Sequence, residues 1–275
     1  GTRSRSTRTT GLPVRAAGPA AARTGSPVVL VERDRVPEAT QAEIERLRPE
    51  LVSLLGGTSA ISPEVEAQIK ALGPDVSRLR GDSRFSTATA VSRAHFSAGV
   101  PVAYIASGEG FADALSGGAA AAALGGPVLL VQRDAVPAAT EEELRRLRPA
   151  RLVVLGGRQA ISEAVESQLR PHADEVRRVS GPTRYATSAA VSRDAFPGTA
   201  ETVFVATGAA FADALAGVPA AGAQRAPLLL VEPDRLPAEV AAELDRLRPG
   251  QIVILGGERS VSQRLERELR SYQTR

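Results

Sequence analysis

The chain has 275 residues, of which 43% are hydrophobic and 24% are charged, and its formal net charge is +3. It contains no Cys, which excludes disulfides, thiolate metal sites and a cysteine nucleophile. Its two histidines, His95 and His172, have no neighbour at metal-ligand spacing, so no metal site is predicted. No run of residues approaches the roughly 18 apolar residues of a membrane span.

The positive charge is concentrated at the start of the chain. Residues 1–26 hold five arginines and no acidic residue, whereas the remaining residues hold 29 basic and 31 acidic side chains. We therefore predict a basic, solvated arm over residues 1–26 that adds weak attraction to an anionic polymer. The nearly neutral body gives no reason to predict a nucleic-acid partner.

The sequence repeats itself at an interval of 100 residues. Pro-led apolar runs start at Pro27, Pro127 and Pro227, and Leu-Gly-Gly triplets start at Leu55, Leu155 and Leu255. Such self-similarity predicts tandem structural units. We predict an arm with the degraded start of unit 1 over 1–26, a truncated unit 1 over 27–77, unit 2 over 78–177 and unit 3 over 178–275.

The first copy lacks its opening portion. In register, residues 1–11 (GTRSRSTRTTG) stand where the second copy has its first apolar run, and a degraded echo of the next helix begins at Leu12. The chain is therefore predicted to start partway through a unit. Loss of a central strand would be far more damaging to unit 1 than loss of an edge strand.

The second copy indicates the elements of one unit. Residues 102–106 (VAYIA), 128–131 (VLLV) and 151–155 (RLVVL) are short apolar runs that predict buried strands. The Ala-rich stretch 111–124 predicts a helix that is buried on all sides, and residues 140–148 predict an amphipathic helix begun by a Thr140/Glu143 capping box. A helix capped by Ser162 closes the unit.

This alternation of apolar strands and helices predicts an α/β fold with small parallel sheets covered on both faces. Each unit is predicted to be a three-stranded βαβαβ sandwich. The small-residue helices are the natural place for the units to pack, and three equivalent units predict a pseudo-threefold trimer within one monomeric chain.

Candidate ligand-binding residues follow from the turns at the carboxyl ends of the strands, where parallel sheets bind ligands. The turns after the first strands are Ser107-Gly108 and Thr207-Gly208, and each leads into a helix with an aspartate in its first turn, Asp113 and Asp213. Each aspartate could be a helix-dipole partner, a ligand contact or half of an ion pair with another unit.

Two repeated arginines are natural partners for these aspartates or for an anionic ligand. Arg84 and Arg184 lie in the segment G-x-x-R-[FY]-x-T. The planar guanidinium binds carboxylate or phosphate with two parallel hydrogen bonds. No dinucleotide fingerprint, phosphate-binding loop with Lys, G-x-S-x-G motif or repeated His is present, so no cofactor and no catalytic site are predicted. Repetition itself favours multivalent binding.

At these residues the chain resembles the cell wall-binding repeat type 2 family of Gram-positive surface proteins. The shared motifs are R-x-x-G-x-x-R-[FY]-x-T-[AS] from Arg78 and Arg178, A-[ST]-G-x-x-F-A-D-A-L from Ala106 and Ala206, and the Pro-led and Leu-Gly-Gly runs. The resemblance implies Rossmann-like units in a pseudo-trimer. It also implies a secreted protein that is held non-covalently at the cell wall or cell surface by binding an anionic polymer or polysaccharide.

Two other functions stay open at this point. One is a wall hydrolase or amidase that uses Asp113 or Asp213 as a base. The other is a purely structural surface-layer or adhesion spacer. The resemblance also maps a family strand motif onto residues 28–30, 128–130 and 228–230, where we expect buried runs that maintain the fold.

Overall fold

The computed structural model describes residues 16–274, in which helices and parallel strands alternate. Unit 1 contains α1 (Ala17–Thr24), α2 (Glu38–Leu47), β1 (Leu51–Leu55), α3 (Pro63–Ala71) and β2 (Asp75–Leu79). Unit 2 contains α4 (Arg84–His95), β3 (Val102–Ser107), α5 (Ala112–Leu124), β4 (Val128–Val131), α6 (Ala138–Leu147), β5 (Arg151–Leu155), α7 (Glu163–Leu169) and β6 (Glu175–Val179). Unit 3 contains α8 (Arg184–Ala195), β7 (Thr202–Thr207), α9 (Ala212–Ala223), β8 (Leu228–Val231), α10 (Ala238–Leu247), β9 (Gln251–Leu255) and α11 (Gln263–Arg270).

The strands of each unit form a separate parallel sheet, which confirms the predicted fold class. The sheet orders within residues 16–274 are β1-β2, β4-β3-β5-β6 and β8-β7-β9. The first strands β3 and β7 are central, because each pairs on both edges. Strands β3, β4, β7 and β8 are almost entirely buried, as their continuously apolar sequences predict.

Strands β2 and β6 were not predicted from the sequence. They follow the closing helix of units 1 and 2 and extend the sheets through pairing with β1 and β5. The sheet of unit 2 therefore has four strands rather than the expected three. Both strands cross the predicted unit boundaries at residues 77/78 and 177/178, and the division of the chain into units stays a prediction.

The expectation of a buried strand over residues 28–30 is wrong. Residues 25–32 form no strand, and Val29 is 40% exposed, whereas its equivalents Leu129 and Leu229 are fully buried. In units 2 and 3 this strand pairs only with the central strand. The central position of unit 1 corresponds to residues 2–7, which lie outside the described residues, and no described strand replaces it.

The predicted capping box at Thr140 and Glu143 is also wrong. The helix begins one turn earlier, with Pro137 as its N-cap, so both residues lie inside α6. The Thr140 hydroxyl donates to the Leu130 carbonyl at 2.8 Å and ties the helix to β4. The Glu143 carboxylate is buried against α4.

Small-residue helices bring the units together. Helices α1, α5 and α9 each contact the other two, which confirms the predicted packing role of these helices. A Cβ atom added at Gly222 would overlap Ala122 of α5 and come 3.0 Å from Ala22 of α1. Only residues without bulk allow helix backbones to approach this closely.

Helix α1 corrects the prediction of a solvated arm over residues 1–26. Its residues 17–20 are buried among α5 and α9, so this part of the arm belongs to the core. Residues 1–15 of the predicted arm, which include four of its five arginines, lie outside the described residues. The pseudo-threefold arrangement stays a prediction.

Candidate functional site

The two motif arginines open helices α4 and α8. Ser83 and Thr183 cap these helices through their hydroxyls, which accept hydrogen bonds from the backbone N–H three residues on. Arg84 and Arg184 therefore occupy the first helical position. Each reaches the glycine turn of its own unit, where Nη1 donates to the carbonyl of Gly108 or Gly208 at 2.6 Å.

The glycine turns are tightly packed against these helices. A Cβ atom at Gly108 would overlap the Phe85 ring, and one at Gly208 would overlap Tyr185. The hydroxyls of Ser107 and Thr207 are buried and accept the N–H of the residue two positions on, at 3.1 and 3.2 Å. These contacts shape the turns that receive the arginines.

The two aspartates occupy equivalent positions with different surroundings. Each carboxylate lies so close to the first glycine of a Leu-Gly-Gly triplet, Gly156 or Gly256, that a Cβ atom there would overlap it. Asp213 also accepts a hydrogen bond from the Ser260 hydroxyl at 2.7 Å. Unit 2 has Ala160 at the position of Ser260, so Asp113 lacks this bond.

The surroundings of Asp113 change the pKa of its carboxyl group. Burial raises the pKa of its carboxyl above the usual value, and the positive charge of Arg184 partly opposes that effect. The opposing charge comes from another unit, since Arg184 opens α8 in unit 3. Asp113 is therefore a carboxylate held in poorly hydrated surroundings at a boundary between units.

An open pocket of about 570 Å³ lies at this boundary. Three segments surround it: the start of α5, the turn after β5 and the start of α8. Its lining includes Phe111, Asp113, Gln159, Thr183 and Arg184. The guanidinium carbon of Arg184 lies 5.4 Å from the centroid of the Phe111 ring, which is a cation–π contact across the unit boundary.

Two helix N-termini converge on the pocket together with Arg184. Residues 110–113 at the start of α5 and 181–184 at the start of α8 both line it. The first N–H groups of a helix have no partner within the helix and carry partial positive charge. The arrangement can therefore attract an anion, while Asp113 offers a carboxylate that can accept hydrogen bonds.

The predicted site residues are only partly brought together. Arg184 and Asp113 share the boundary pocket between units 2 and 3. The equivalents of Phe111 and Asp113 for Arg84 are residues 11 and 13, which lie outside the described residues. Asp213 lies with Ser260 and Gly256, and no arginine of a following motif faces it within residues 16–274.

Sequence reasoning missed Phe111 and Gln159. Phe111 was visible in the repeated F-A-D-A-L motif, and its ring also contacts Phe211 in an edge-to-face pair with centroids 6.1 Å apart. Gln159 differs from Ser59 and Arg259 at the same position of the other copies, so the repeat gave no signal for it.

Two buried glutamates, also missed, fasten the motif helices to the units. Glu143 and Glu243 are fully buried, and each accepts a hydrogen bond from a serine of the motif helix, Ser92 or Ser192. Arg93 and Arg146 complete the cluster around Glu143, and Arg193 and Arg246 complete that around Glu243. Two repeats in the sequence could have indicated this cluster. One is a Glu at positions 43, 143 and 243, and the other is the motif AVSR at 90–93 and 190–193.

Residues 16–274 contain no cluster of three or more His, Asp or Glu side chains that could hold a metal ion. None of the helices described above is long and apolar enough to cross a membrane.

The chain is similar in sequence to two proteins of Bacillus subtilis. The chain is 31% identical over 242 residues to the amidase enhancer of Bacillus subtilis and 27% identical over 255 residues to the N-acetylmuramoyl-L-alanine amidase LytC of the same organism. These alignments cover 87% and 93% of this chain, but 33% and 50% of those relatives.

Two solved structures have the same architecture. Cwp6 from Clostridium difficile superposes with a TM-score of 0.90 over 96% of this chain and 42% of its own, and Cwp8 from the same organism with 0.85 over 96% and 46%. Both are 25% identical in sequence. The chain therefore spans about half or less of the length of the relatives it matches.

The family described as cell wall binding domain 2 (CWB2) matches three consecutive segments of this chain. They are residues 15–66, 78–166 and 178–266. The matched segments cover most of the chain and include every predicted site residue. The chain belongs to the cell wall binding domain 2 family.

Proposed function

We propose that this chain is a non-catalytic binding module that anchors a secreted protein to an anionic polymer or polysaccharide of the cell wall. The observation that carries the proposal is the boundary pocket of units 2 and 3. There, Arg184 and the starts of α5 and α8 converge on one open space. Membership of the cell wall binding domain 2 family supports the cell wall as the place of binding. The guanidinium of Arg184 and the two helix N-termini favour an anionic ligand.

The residues divide into a central and a supporting group in this proposal. Arg184, Asp113 and the aromatic Phe111 contact the polymer directly at the boundary. The turns Ser107-Gly108 and Thr207-Gly208 fix the positions of Arg84 and Arg184 through the glycine carbonyls. Arg84 and Asp213 form weaker, incomplete sites that add avidity.

Retention on purified cell walls tests the binding function. We expect the wild-type chain to be retained, and to be retained poorly on walls stripped of their anionic polymers. The double variant Arg84→Ala/Arg184→Ala loses retention, with most of the loss already present in Arg184→Ala. Equal retention of the wild type and the double variant, or no retention of either, contradicts the proposed site.

A variant that leaves the arginines intact sharpens this test. Gln159 is exposed beside the pocket, so Gln159→Glu adds a negative charge there without removing a side-chain contact within the fold. Gln251→Glu makes the same change at an exposed residue of β9, away from the pocket. We expect Gln159→Glu to weaken wall retention and Gln251→Glu to leave it unchanged.

The amidase named among the relatives makes catalysis the competing function. We propose that the chain has no such activity, because the Ser107 and Thr207 hydroxyls are buried in turns and Asp113 has no histidine beside it in the pocket. Release of dye from labelled peptidoglycan, abolished by Asp113→Asn or Asp213→Asn, would contradict this. Asp113→Asn removes a negative charge beside Arg184, so we expect it to maintain or strengthen wall retention.

We further propose that the chain is a monomer whose three units are arranged around a pseudo-threefold axis. The mutual contacts of α1, α5 and α9 support this arrangement. Sedimentation at increasing concentration should give one species of monomer mass. Concentration-dependent assembly without wall affinity would instead favour a structural surface-layer or adhesion spacer.

A further inference from the structure

Four polar side chains meet where α8 packs on the sheet of unit 2. Tyr104 of β3 and Arg177 of β6 flank Val153 in one row across the sheet. Arg151 lies two residues before Val153 on β5, so its side chain leaves the same face of the sheet. Asp194, in the last turn of α8, binds Arg177 with an Oδ1–Nη2 distance of 2.5 Å. We call these side chains the junction cluster: Tyr104, Arg151, Arg177 and Asp194.

The junction cluster contains buried polar atoms that lack partners. Tyr104 has no exposed surface, and its hydroxyl makes no hydrogen bond in the described part of the chain. The same holds there for the buried Nε atoms of Arg151 and Arg177 and for the buried Oδ2 atom of Asp194. Glu175 Oε1 lies 3.8 Å from Arg177 Nε, which is too far for a hydrogen bond.

The charges of the cluster act on the tyrosine. Burial raises the pKa of the Tyr104 hydroxyl, the negative charge of Asp194 raises it further, and the two arginines oppose these effects. All three charged side chains therefore lie close enough to influence the hydroxyl. Buried donors and acceptors without a partner destabilise a fold, and in globular proteins such groups commonly bind a buried water molecule.

The complete junction cluster occurs only at the boundary of units 2 and 3. Its charged members have uncharged equivalents in the other copies: Leu51 and Gln251 for Arg151, Ser77 for Arg177 and Ala94 for Asp194. The third copy has Phe204 in place of Tyr104, which keeps the ring without the hydroxyl. Because the polar residues occur together in one copy, we expect them to form one site.

We propose that the junction cluster binds one buried water molecule, which joins the sheet of unit 2 to α8. The Nε groups of Arg151 and Arg177 donate to this water. The water donates in turn to Asp194 Oδ2 and to the Tyr104 hydroxyl oxygen, so each of the four atoms gains a partner. A small anion fits this site less well, because it would repel the Asp194 carboxylate and leave Oδ2 without a donor.

This site fastens α8 to unit 2. The same helix is fastened to unit 3 by Ser192 and Arg193, which both bind Glu243. The first residue of α8, Arg184, lines the boundary pocket and lies about 15 Å from Asp194 along the helix axis. The water site is therefore separate from the proposed ligand contacts, and the two proposals can fail independently.

A crystal structure of the full chain at a resolution that shows ordered water tests the proposal directly. We expect one solvent peak within about 3.2 Å of at least three of the four atoms. After a soak in sodium bromide, this peak should give no anomalous signal. Direct hydrogen bonds among the four side chains, with no solvent peak, overturn the proposal. A bromide signal at the site would mean that it binds an anion instead.

Tyr104→Phe tests the water in solution, because the sign of its effect depends on the water. Removal of a buried hydroxyl without a partner raises Tm or leaves it unchanged, whereas removal of one that binds water lowers Tm. We expect a decrease of a few degrees, since Phe204 shows that this ring is accommodated at the equivalent position. Tyr272→Phe, at a partly exposed ring, is the control and should leave Tm unchanged. An unchanged or raised Tm for Tyr104→Phe contradicts the proposal.

A fourfold variant tests whether the side chains form one site. Asp194→Ala alone leaves both arginines without its carboxylate, so we expect a lower Tm and faster deuterium exchange in α8. Adding Tyr104→Phe, Arg151→Leu and Arg177→Ser removes the buried donors as well, so part of the lost Tm should return. A further decrease with each added substitution would mean that the four side chains contribute independently, and it would overturn the shared site.

Discussion

Arg184 of unit 3 lies over the ring of Phe111 of unit 2, while its Nη1 atom donates to the Gly208 carbonyl of its own unit at 2.6 Å. One side chain thus connects a helix start, a glycine turn and the neighbouring unit. Arg84 makes the same carbonyl bond within unit 2. The residue equivalent to Phe111 across its boundary is Gly11, which offers no ring.

This difference predicts an energetic coupling between Phe111 and Arg184. In a double-mutant cycle with Phe111→Leu and Arg184→Gln, which remove the ring and the cation, we expect a coupling of about 0.5–1 kcal/mol in the free energy of unfolding, as for a partly exposed cation–π pair. The cycle that combines Phe111→Leu with Arg84→Gln should be additive. Urea denaturation of the single and double variants measures both cycles, and equal couplings in the two would contradict the contact.

A second prediction concerns the buried glutamates. Glu143→Gln removes the buried carboxylate that Arg93 and Arg146 bind, and these arginines keep partial access to water, so we expect a loss of about 1–3 kcal/mol in the free energy of unfolding. Glu43→Gln changes an exposed pair with Arg46 and should cost much less, because water already screens that pair. Chemical denaturation of the two variants compares the clusters directly, and similar losses would mean that burial does not determine their contribution.

Most of the fold could be predicted because the strands of units 2 and 3 are continuously apolar and repeat in register. Strands β2 and β6, with sequences DVSRL and EVRRV, contain charged residues and give no such signal. Their arginines Arg78 and Arg178 are nevertheless mostly buried, since they bind Glu66 and Glu166 and the carbonyls of Gly56 and Gly156. Local sequence could not reveal these partners.

Residues 27–31 give the opposite case. Their sequence PVVLV nearly equals PVLLV at 127–131, yet only the second run forms a strand. A strand requires a neighbour to satisfy its backbone groups, and β4 obtains this from β3. Tertiary context therefore overrides an almost identical local sequence.

The residue types of the candidate site and the pairing of arginine with aspartate could be predicted, but the difference between the copies could not. Repetition identified the arginines and aspartates, and it suggested equivalent sites in the second and third copies. The structure groups Arg184 with Asp113, whereas Asp213 binds Ser260, because the copies differ at single positions such as Ala160 and Ser260. These small differences are invisible to a pattern that is defined by what the copies share.

A third prediction tests the packing of the small-residue helices. Gly222→Val places a branched side chain where even a Cβ atom would overlap Ala122, so we expect a loss of about 1–3 kcal/mol in the free energy of unfolding. Gly198→Ala is the control, since a Cβ atom there meets no atom within 4 Å. Thermal denaturation should show a lower Tm for Gly222→Val and little change for the control. An unchanged Tm for Gly222→Val would mean that the three helices can separate at little cost.

The last prediction follows from the raised pKa of Asp113. In the unfolded chain this carboxyl titrates near its usual pKa of 3.8, but in the folded chain burial raises the pKa. Between the two values the folded state binds more protons, so the contribution of Asp113 to stability falls as the pH rises through this window. Above the folded pKa, the ionised carboxylate destabilises the fold, and the charge of Arg184 offsets only part of that cost.

Asp113→Asn removes this titration while keeping nearly the same shape. We expect the variant to be more stable than the wild type at pH 7, and the difference to shrink as the pH falls to about 3.5, where the wild-type carboxyl is mostly protonated in both states. Urea denaturation at several pH values measures this difference. The prediction is wrong if the difference in stability is constant across the pH range, or if the wild type is the more stable protein at pH 7. Either result would mean that Arg184 and other polar groups compensate the buried charge fully. Full compensation is expected of a structural ion pair and not of a carboxylate that binds a ligand.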